Sequence, residues 1–411
     1  MTVWHPASWR EKSCAHYPPY PSPAEVEAVL QVLSSYPPLV NLAEIEVLKM
    51  QLREVAQGKA FLLQGGDCAE AFADCYPEAI QGKLRCLRRL STVLEQGLNC
   101  AVLSVGRLAG QYAKPRSHLV ERQGNEVLPI YRGDMINGRA FTLAARQADP
   151  GRMRQAYECA SVTLSVMRQS RDSLFFTSHE ALLLPYEQAL TRRVNEKWYN
   201  FSTHFPWIGY RSNHIEEAHV EYLRGIDNPI AIKVGPNTSC WMLQKLVQIL
   251  NPARCVGRLM IMTRLGKSRV SALLPEFIQA VKQTKIPVIW SCDPMHANTY
   301  LTASGLKTRC VEDISSELQQ TWCVHEALGS RLGGLHLELT HQAVKECVGG
   351  REAIQVDDLA EGYKSLVDPR LNECQAVEVL QEWMALQRPL FRPSLPSSFR
   401  SSLRASRSNP A

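Results

Sequence analysis

From residue 59 onward, short apolar, β-branched runs recur between longer stretches in which apolar residues return every three or four positions. The runs are Ala60–Gln64, Ala101–Val105, Leu174–Thr177, Phe205–Ile208, Ile230–Val234, Leu259–Met262, Pro287–Trp290 and Leu335–Leu339. Most are continuous rather than alternating in hydrophobicity, which predicts strands buried on both faces, as in parallel sheets. Helical periodicity fills the intervals, for example at Ala79–Leu94, Arg152–Met167 and Val311–Leu328. Eight such runs separated by helices predict an α/β fold, a closed (β/α)8 TIM barrel. An open doubly wound sheet is the competing architecture. No Gly-x-Gly-x-x-Gly follows the first run and no Walker-type loop occurs, so the dinucleotide reading falls away.

Two helices are expected ahead of the barrel. Ser22 is placed to cap the first, with Pro23 in its opening turn and Val26, Val29, Leu30 and Leu33 on one face. The second runs from about Leu42 and ends near Gly58. The chain thus divides into an N-terminal helical extension (1–58), a catalytic barrel (59–388) and a Ser/Pro/Arg-rich tail (389–411), the last expected to be disordered.

Charge changes this picture little. The net charge is +6, and five arginines from Arg388 onward with no acid account for most of it, leaving about +1 for the body. No basic stripe interleaved with aromatics appears, so no nucleic-acid partner is expected. Nor is a membrane partner: no run of 18 apolar residues occurs, and the N-terminus lacks the layout of a secretory signal. A cytoplasmic location follows as the expectation. In that setting 13 irregularly spaced cysteines read as thiols or ligands, not as a disulfide framework.

Barrel enzymes place their chemistry at the C-terminal ends of the strands. At or just beyond the eight runs stand Cys68, Arg107, His179-Glu180, Arg211, Lys233, Arg264, His296 and Glu338. A single charge at a strand end is usually a solvated rim residue; a whole ring of them is harder to dismiss. Arg107, Arg211, Lys233 and Arg264 are four cations on one rim, which would repel each other unless they held a polyanion carrying carboxylate and phosphate. Cys68, His296 and Glu338, with Asp368 after the last strand, make a mixed S/N/O set suited to a divalent transition metal. Taken singly, Cys68 could be a buried thiol, His296 a core histidine and Asp368 a helix cap.

The words around these residues carry a resemblance. Leu62-Leu63-Gln64-Gly65-Gly66-Asp67-Cys68-Ala69-Glu70, Val105-Gly106-Arg107 through Lys114-Pro115-Arg116-Ser117, and Tyr131-Arg132-Gly133-Asp134 come first. Thr177-Ser178-His179-Glu180, Cys292-Asp293-Pro294-Met295-His296 and Asp368-Pro369-Arg370-Leu371-Asn372 follow in the same order. The chain resembles the type II (plant-like) 3-deoxy-D-arabino-heptulosonate 7-phosphate (DAHP) synthases from Trp4 to about Trp383. The resemblance implies condensation of phosphoenolpyruvate with erythrose 4-phosphate, the entry reaction of the shikimate pathway, in a homo-oligomer, dimer or larger. It implies a divalent metal, Mn2+ or Co2+ before Fe2+ or Zn2+, on Cys68, His296, Glu338 and Asp368. It assigns Arg107, Arg211, Lys233 and Arg264 to phosphoenolpyruvate, with Lys233, Arg211 and His296 as the catalytic groups. Lys114, Arg116 and Ser117, joined by Lys307, are implied for the phosphate of erythrose 4-phosphate.

Three departures from the family pattern stand out. Gly209-Tyr210-Arg211 replaces Gly-Glu-Arg, removing a carboxylate that could orient the attacking water. Val367 stands where relatives often carry a cysteine before the metal-site aspartate. Only Arg152 to Ser173 joins the Arg-Gly-Asp region to Thr177, where longer members carry an extra helical pair that binds aromatic amino acids. The last departure implies a short, feedback-insensitive form of the kind that serves secondary metabolism such as phenazine production. Tyr210 leaves open a second reading, a catalytically impaired paralogue acting as a binding partner. A third keeps the barrel and makes Lys233 a Schiff-base lysine.

Overall fold

Ala60–Gly66 is buried along its whole length, flanked in parallel register on one side by Ala101–Arg107 and on the other by Leu332–Glu338. The computed structural model describes residues 4–170 and 175–385. Among them, one parallel sheet contains β1 (Ala60–Gly66), β2 (Ala101–Arg107), β3 (Phe176–Thr177), β4 (Trp207–Ile208), β5 (Ile230–Val234), β6 (Leu259–Thr263), β7 (Ile289–Cys292) and β8 (Leu332–Glu338). Its order, β3-β2-β1-β8-β7-β6-β5-β4, leaves β3 and β4 at the two ends. Those ends meet: Phe205 N–H donates to Thr177 O, Trp207 N–H to His179 O, and Ala181 N–H to Trp207 O (3.2, 3.1 and 2.9 Å). The sheet is therefore a closed barrel, and the open-sheet alternative is excluded.

The strand runs read from hydrophobicity sit in the right places with shifted ends. β7 begins at Ile289 rather than Pro287, since proline lacks the N–H that a central strand must donate. β8 starts earlier than Leu335, at Leu332, because Gly333-Gly334 gives no apolar signal. Leu174 and the Arg-rich tail lie outside the described residues.

Period-two geometry then sorts each strand into two layers. Ile230, Ile232, Leu259 and Ile261 face outward into a core shared with the helices, as do Leu335 and Leu337 of β8. Leu62, Leu103, Val105, Phe176, Trp207, Ala231, Met260, Met262 and Ile289 fill the barrel interior. Continuous hydrophobicity in the sequence is the sum of these two layers. The inward series turns polar toward the C-terminal ends: Leu62 is followed by Gln64, Val105 by Arg107, Ala231 by Lys233, and Gly334 by His336 and Glu338.

The opposite mouth is plugged. The helix α1 (Pro23–Ser35) is capped by Ser22, whose side chain accepts the Glu25 N–H. Helix α2 (Leu42–Gln57) has a capping box between Asn41 and Glu44 and stops at Gly58, which is left-handed at φ 80°. Leu48, Leu52 and Val55 of α2 belong to the same buried cluster as the interior strand residues. The helix thus floors the barrel at the end opposite the polar one. No described helix is long and apolar enough to cross a membrane, and all thirteen cysteines are free thiols.

Candidate active site

The loop after β1 is the first wall of the site. At Gly66, φ is 149° and an added Cβ would stand 2.9 Å from the Arg107 carbonyl oxygen, so only glycine lets β1 and β2 approach this closely. Asp67 is pinned by Lys83 (2.8 Å) and Arg370 (2.6 Å). Burial works against its charge, but those two cations bring its pKa down to about 2. Glu70 accepts the backbone N–H groups of Ala109, Gly110 and Gln111 at 2.9–3.2 Å, tying this loop to the one after β2. The neighbour between these anchors, Cys68, is thereby held in place.

Cys68, Glu338 and Asp368 each offer a ligand atom, all within 4.8 Å of one another. His296 joins them: its Nε2 lies 2.9 Å from Glu338 Oε1, while its Nδ1 lies 2.7 Å from Asp293 Oδ2. A carboxylate on the far ring nitrogen is how metal-binding histidines are oriented; Nε2, which here faces the Glu338 carboxylate, would present its lone pair to an ion placed between them. Burial first, and the Glu338 charge second, push the Cys68 thiol up to about 12, so a thiolate forms there only against a cation. Cys68, Glu338 and Asp368 form a three-donor cluster, and His296 adds a nitrogen beside it through Glu338; such a mix of sulfur, nitrogen and carboxylate fits a divalent transition ion. Lys114 approaches the same four: its Nζ is 2.8 Å from Cys68 Sγ, 3.1 Å from Glu338 and Asp368, and 3.4 Å from His296 Nε2.

The cations read from the strand ends divide. Arg107, from the end of β2, is buried and donates to the carbonyls of Asp67 and Cys68 and to Glu338 Oε1 (3.0, 2.9 and 3.2 Å). Lys233 of β5 donates to Asp293 at 2.7 Å; burial lowers its pKa to about 8 although Asp293 opposes the shift. Arg264 donates to the His296 carbonyl at 2.8 Å, and its Nε has no partner among the described residues. Arg211 stands farther out, exposed, donating to Ser117 Oγ at 2.9 Å. Lys307, on a short hairpin after β7, pairs with Asp368 at 2.9 Å. Arg116 is half-buried.

Several residues here escaped the sequence-based site. Glu180, noted only as a strand-end residue, presents a buried Oε1 with no partner among the described residues. Burial raises its pKa, against the pull of Lys114, Lys233, Arg211 and Arg107 around it. It therefore supplies a carboxyl group among the cations, and the carboxylate thought lost with Tyr210 has a counterpart one strand away. His336, Gln64, Trp207 and Asp293 also line the interior here. Their signal was present in the period-two spacing: His336 lies two residues before Glu338, and Glu180 two after Ser178.

Comparison with known proteins shows the family. The profile of the Class-II DAHP synthetase family matches residues 4–174 and 167–382. A Neurospora crassa protein named phospho-2-dehydro-3-deoxyheptonate aldolase is 41% identical, covering 92% of this chain and 92% of its own length. A protein of the same name from Streptomyces coelicolor (39%; 90% of this chain, 95% of its own) and phospho-2-dehydro-3-deoxyheptonate aldolase AroG from Mycolicibacterium smegmatis (40%; 87% and 89%) are similar to it as well. Among solved structures, a phospho-2-dehydro-3-deoxyheptonate aldolase from Francisella tularensis superposes with a TM-score of 0.52, covering 90% of this chain and 97% of that one. At 14% identity that likeness speaks for the fold alone.

Proposed function

The chain belongs to the class-II DAHP synthetase family, and from that premise we propose how its own residues condense phosphoenolpyruvate with erythrose 4-phosphate. The reaction joins C3 of phosphoenolpyruvate to the aldehyde carbon of the tetrose, adds water at C2 and releases inorganic phosphate. The observation that carries the assignment of residues is the convergence of Arg107, Lys233 and Glu180 on the four-donor set of Cys68, His296, Glu338 and Asp368.

In this scheme Arg107, Lys233 and Arg264 hold the carboxylate and phosphate of phosphoenolpyruvate, the unpartnered Arg264 Nε being free to donate. Arg211, exposed and bonded to Ser117, is moved here from the phosphoenolpyruvate set: with Arg116, Ser117 and Lys307, and with Lys114 deeper against the metal donors, it takes the phosphate of erythrose 4-phosphate. Glu180 takes a proton from the water that adds at C2, a role suited to a carboxyl group whose pKa burial has raised. A divalent ion, Mn2+ or Co2+ by preference, held by Cys68, His296, Glu338 and Asp368 would supply Lewis acidity toward the aldehyde oxygen. Fixed cations then offset the charge that develops as phosphate departs.

Neither alternative is favoured. Glu180 weakens the case for an impaired paralogue, because the site retains a carboxyl group. Asp293 on Lys233 favours an ammonium over a Schiff-base amine. The deciding experiment is a phosphate-release assay with both substrates and Mn2+ or Co2+. Release should require both, and release no greater than from a Cys68→Ala control would end the assignment.

A further inference from the structure

We propose that His336 is a positioning residue for phosphoenolpyruvate: its unprotonated Nε2 gathers the Arg107 guanidinium and the Lys233 ammonium so that both face one substrate. The inference rests on the assignment of Arg107 and Lys233 to that substrate. His336 is fully buried and faces the barrel interior from β8. Its Nε2 lies 2.5 Å from an Arg107 terminal nitrogen and 2.9 Å from Lys233 Nζ. Guanidinium and ammonium groups only donate, so Nε2 must accept from both. The ring proton is then on Nδ1, which donates to Gln64 Oε1 at 2.6 Å. The Gln64 amide is fixed in turn, because its Nε2 donates to Ser178 Oγ. A relay of uncharged groups, Ser178 to Gln64 to His336, thus selects the tautomer from the end of β3, three strands away from His336 in the sheet.

The floor beneath the two cations continues in Trp207. Its ring centroid is 5.3 Å from the Arg107 guanidinium carbon and 5.9 Å from Lys233 Nζ, and it meets His336 edge-on at 5.5 Å. Two cations placed together repel. A carboxylate between them would relieve that, but it would also compete with the anionic substrate. Arg107 already meets Glu338 and Lys233 already meets Asp293; a lone pair and a π face hold the two cations together while adding no further negative charge.

Steady-state kinetics on the metal-loaded enzyme tests this with two variants of similar size. His336→Gln can keep an oxygen acceptor near the Nε2 position; His336→Asn, one methylene shorter, cannot. The expected result is a rise of about tenfold in the KM for phosphoenolpyruvate with His336→Asn, the loss of one hydrogen bond to a charged group. His336→Gln should stay within about threefold, and the KM for erythrose 4-phosphate should move in neither. Equal effects of the two variants, or parallel rises for both substrates, would overturn the proposal in favour of a packing role. Arg107→Gln separates this outcome from a wrong site: if it too leaves the phosphoenolpyruvate KM unchanged, the site assignment fails first. Should the histidine variants not fold, 15N NMR of the wild-type imidazoles decides. A neutral ring protonated on Nδ1 is expected, and a proton on Nε2 refutes the idea.

Discussion

The guanidinium of Arg264 lies 4.9 Å from the ring centroid of Tyr210, and the Tyr210 hydroxyl oxygen accepts the Asn237 N–H at 3.1 Å. The residue that breaks the family's Gly-Glu-Arg pattern therefore supports Arg264, the cation proposed to hold phosphoenolpyruvate, by its π face. On sequence alone, restoring glutamate at this position promises a faster enzyme. With Glu180 already present, the opposite is expected: Tyr210→Glu would bring a carboxylate to Arg264 and compete with the substrate. Its KM for phosphoenolpyruvate should rise several-fold, Tyr210→Phe should behave like wild type, and Tyr210→Ala should lose the cation–π contribution of about 1 kcal/mol. Steady-state kinetics on the three variants checks the order.

Glu180→Gln keeps the shape and removes the proton acceptor. A drop of about 10²–10⁴ in kcat is expected, with both KM values nearly unchanged. A variant that instead raised KM with kcat intact would make Glu180 a binding group only.

Chelation should abolish turnover, and Mn2+ or Co2+ should restore it. Cys68→Ser ought to bind the added ion at least about tenfold more weakly, since a hard hydroxyl replaces a soft thiolate. Metal content measured after gel filtration reads this without reference to rate. Full activity in a chelated, metal-free sample would remove the ion from the scheme.

Acid should destabilise the fold through two buried imidazoles. Burial lowers the pKa of both His219 and His325 to about 4. Each stays neutral in the folded chain but takes up a proton in the unfolded chain below about pH 6.5. Their contribution is thus present above pH 6.5 and is lost as the pH falls toward 4, on the order of 3 kcal/mol per histidine. Urea denaturation at pH 7 and pH 5 should show the loss, and His325→Phe, which cannot ionise beside Trp290, should reduce it. An unchanged pH dependence in that variant would contradict the assignment.

Phenylalanine, tyrosine and tryptophan, alone or together, should leave turnover unaffected, because among the described residues no further helix stands between Arg152–Gln169 and β3. Strong inhibition by any of them would show that a regulatory site survives elsewhere.

The sequence by itself determined the barrel and most of its rim. Runs such as Ile230–Val234 are hydrophobic on both faces, and that property follows from local order along the chain. Cys68, Lys233 and Glu338 were legible for the same reason, as polar residues terminating apolar runs. Only the tertiary structure decided what those residues touch. It brought Lys114 onto all four candidate metal donors, set Glu180 among the cations, and placed His336 between Arg107 and Lys233. It also closed the barrel through two strands of two residues each and floored it with α2. These contacts join residues as many as 300 positions apart, as in Cys68 and Asp368. A pattern with a period of two or 3.6 fixes which face a side chain takes. It carries no information about which distant side chain will meet it there, because that depends on register between strands and on the curvature that closes them.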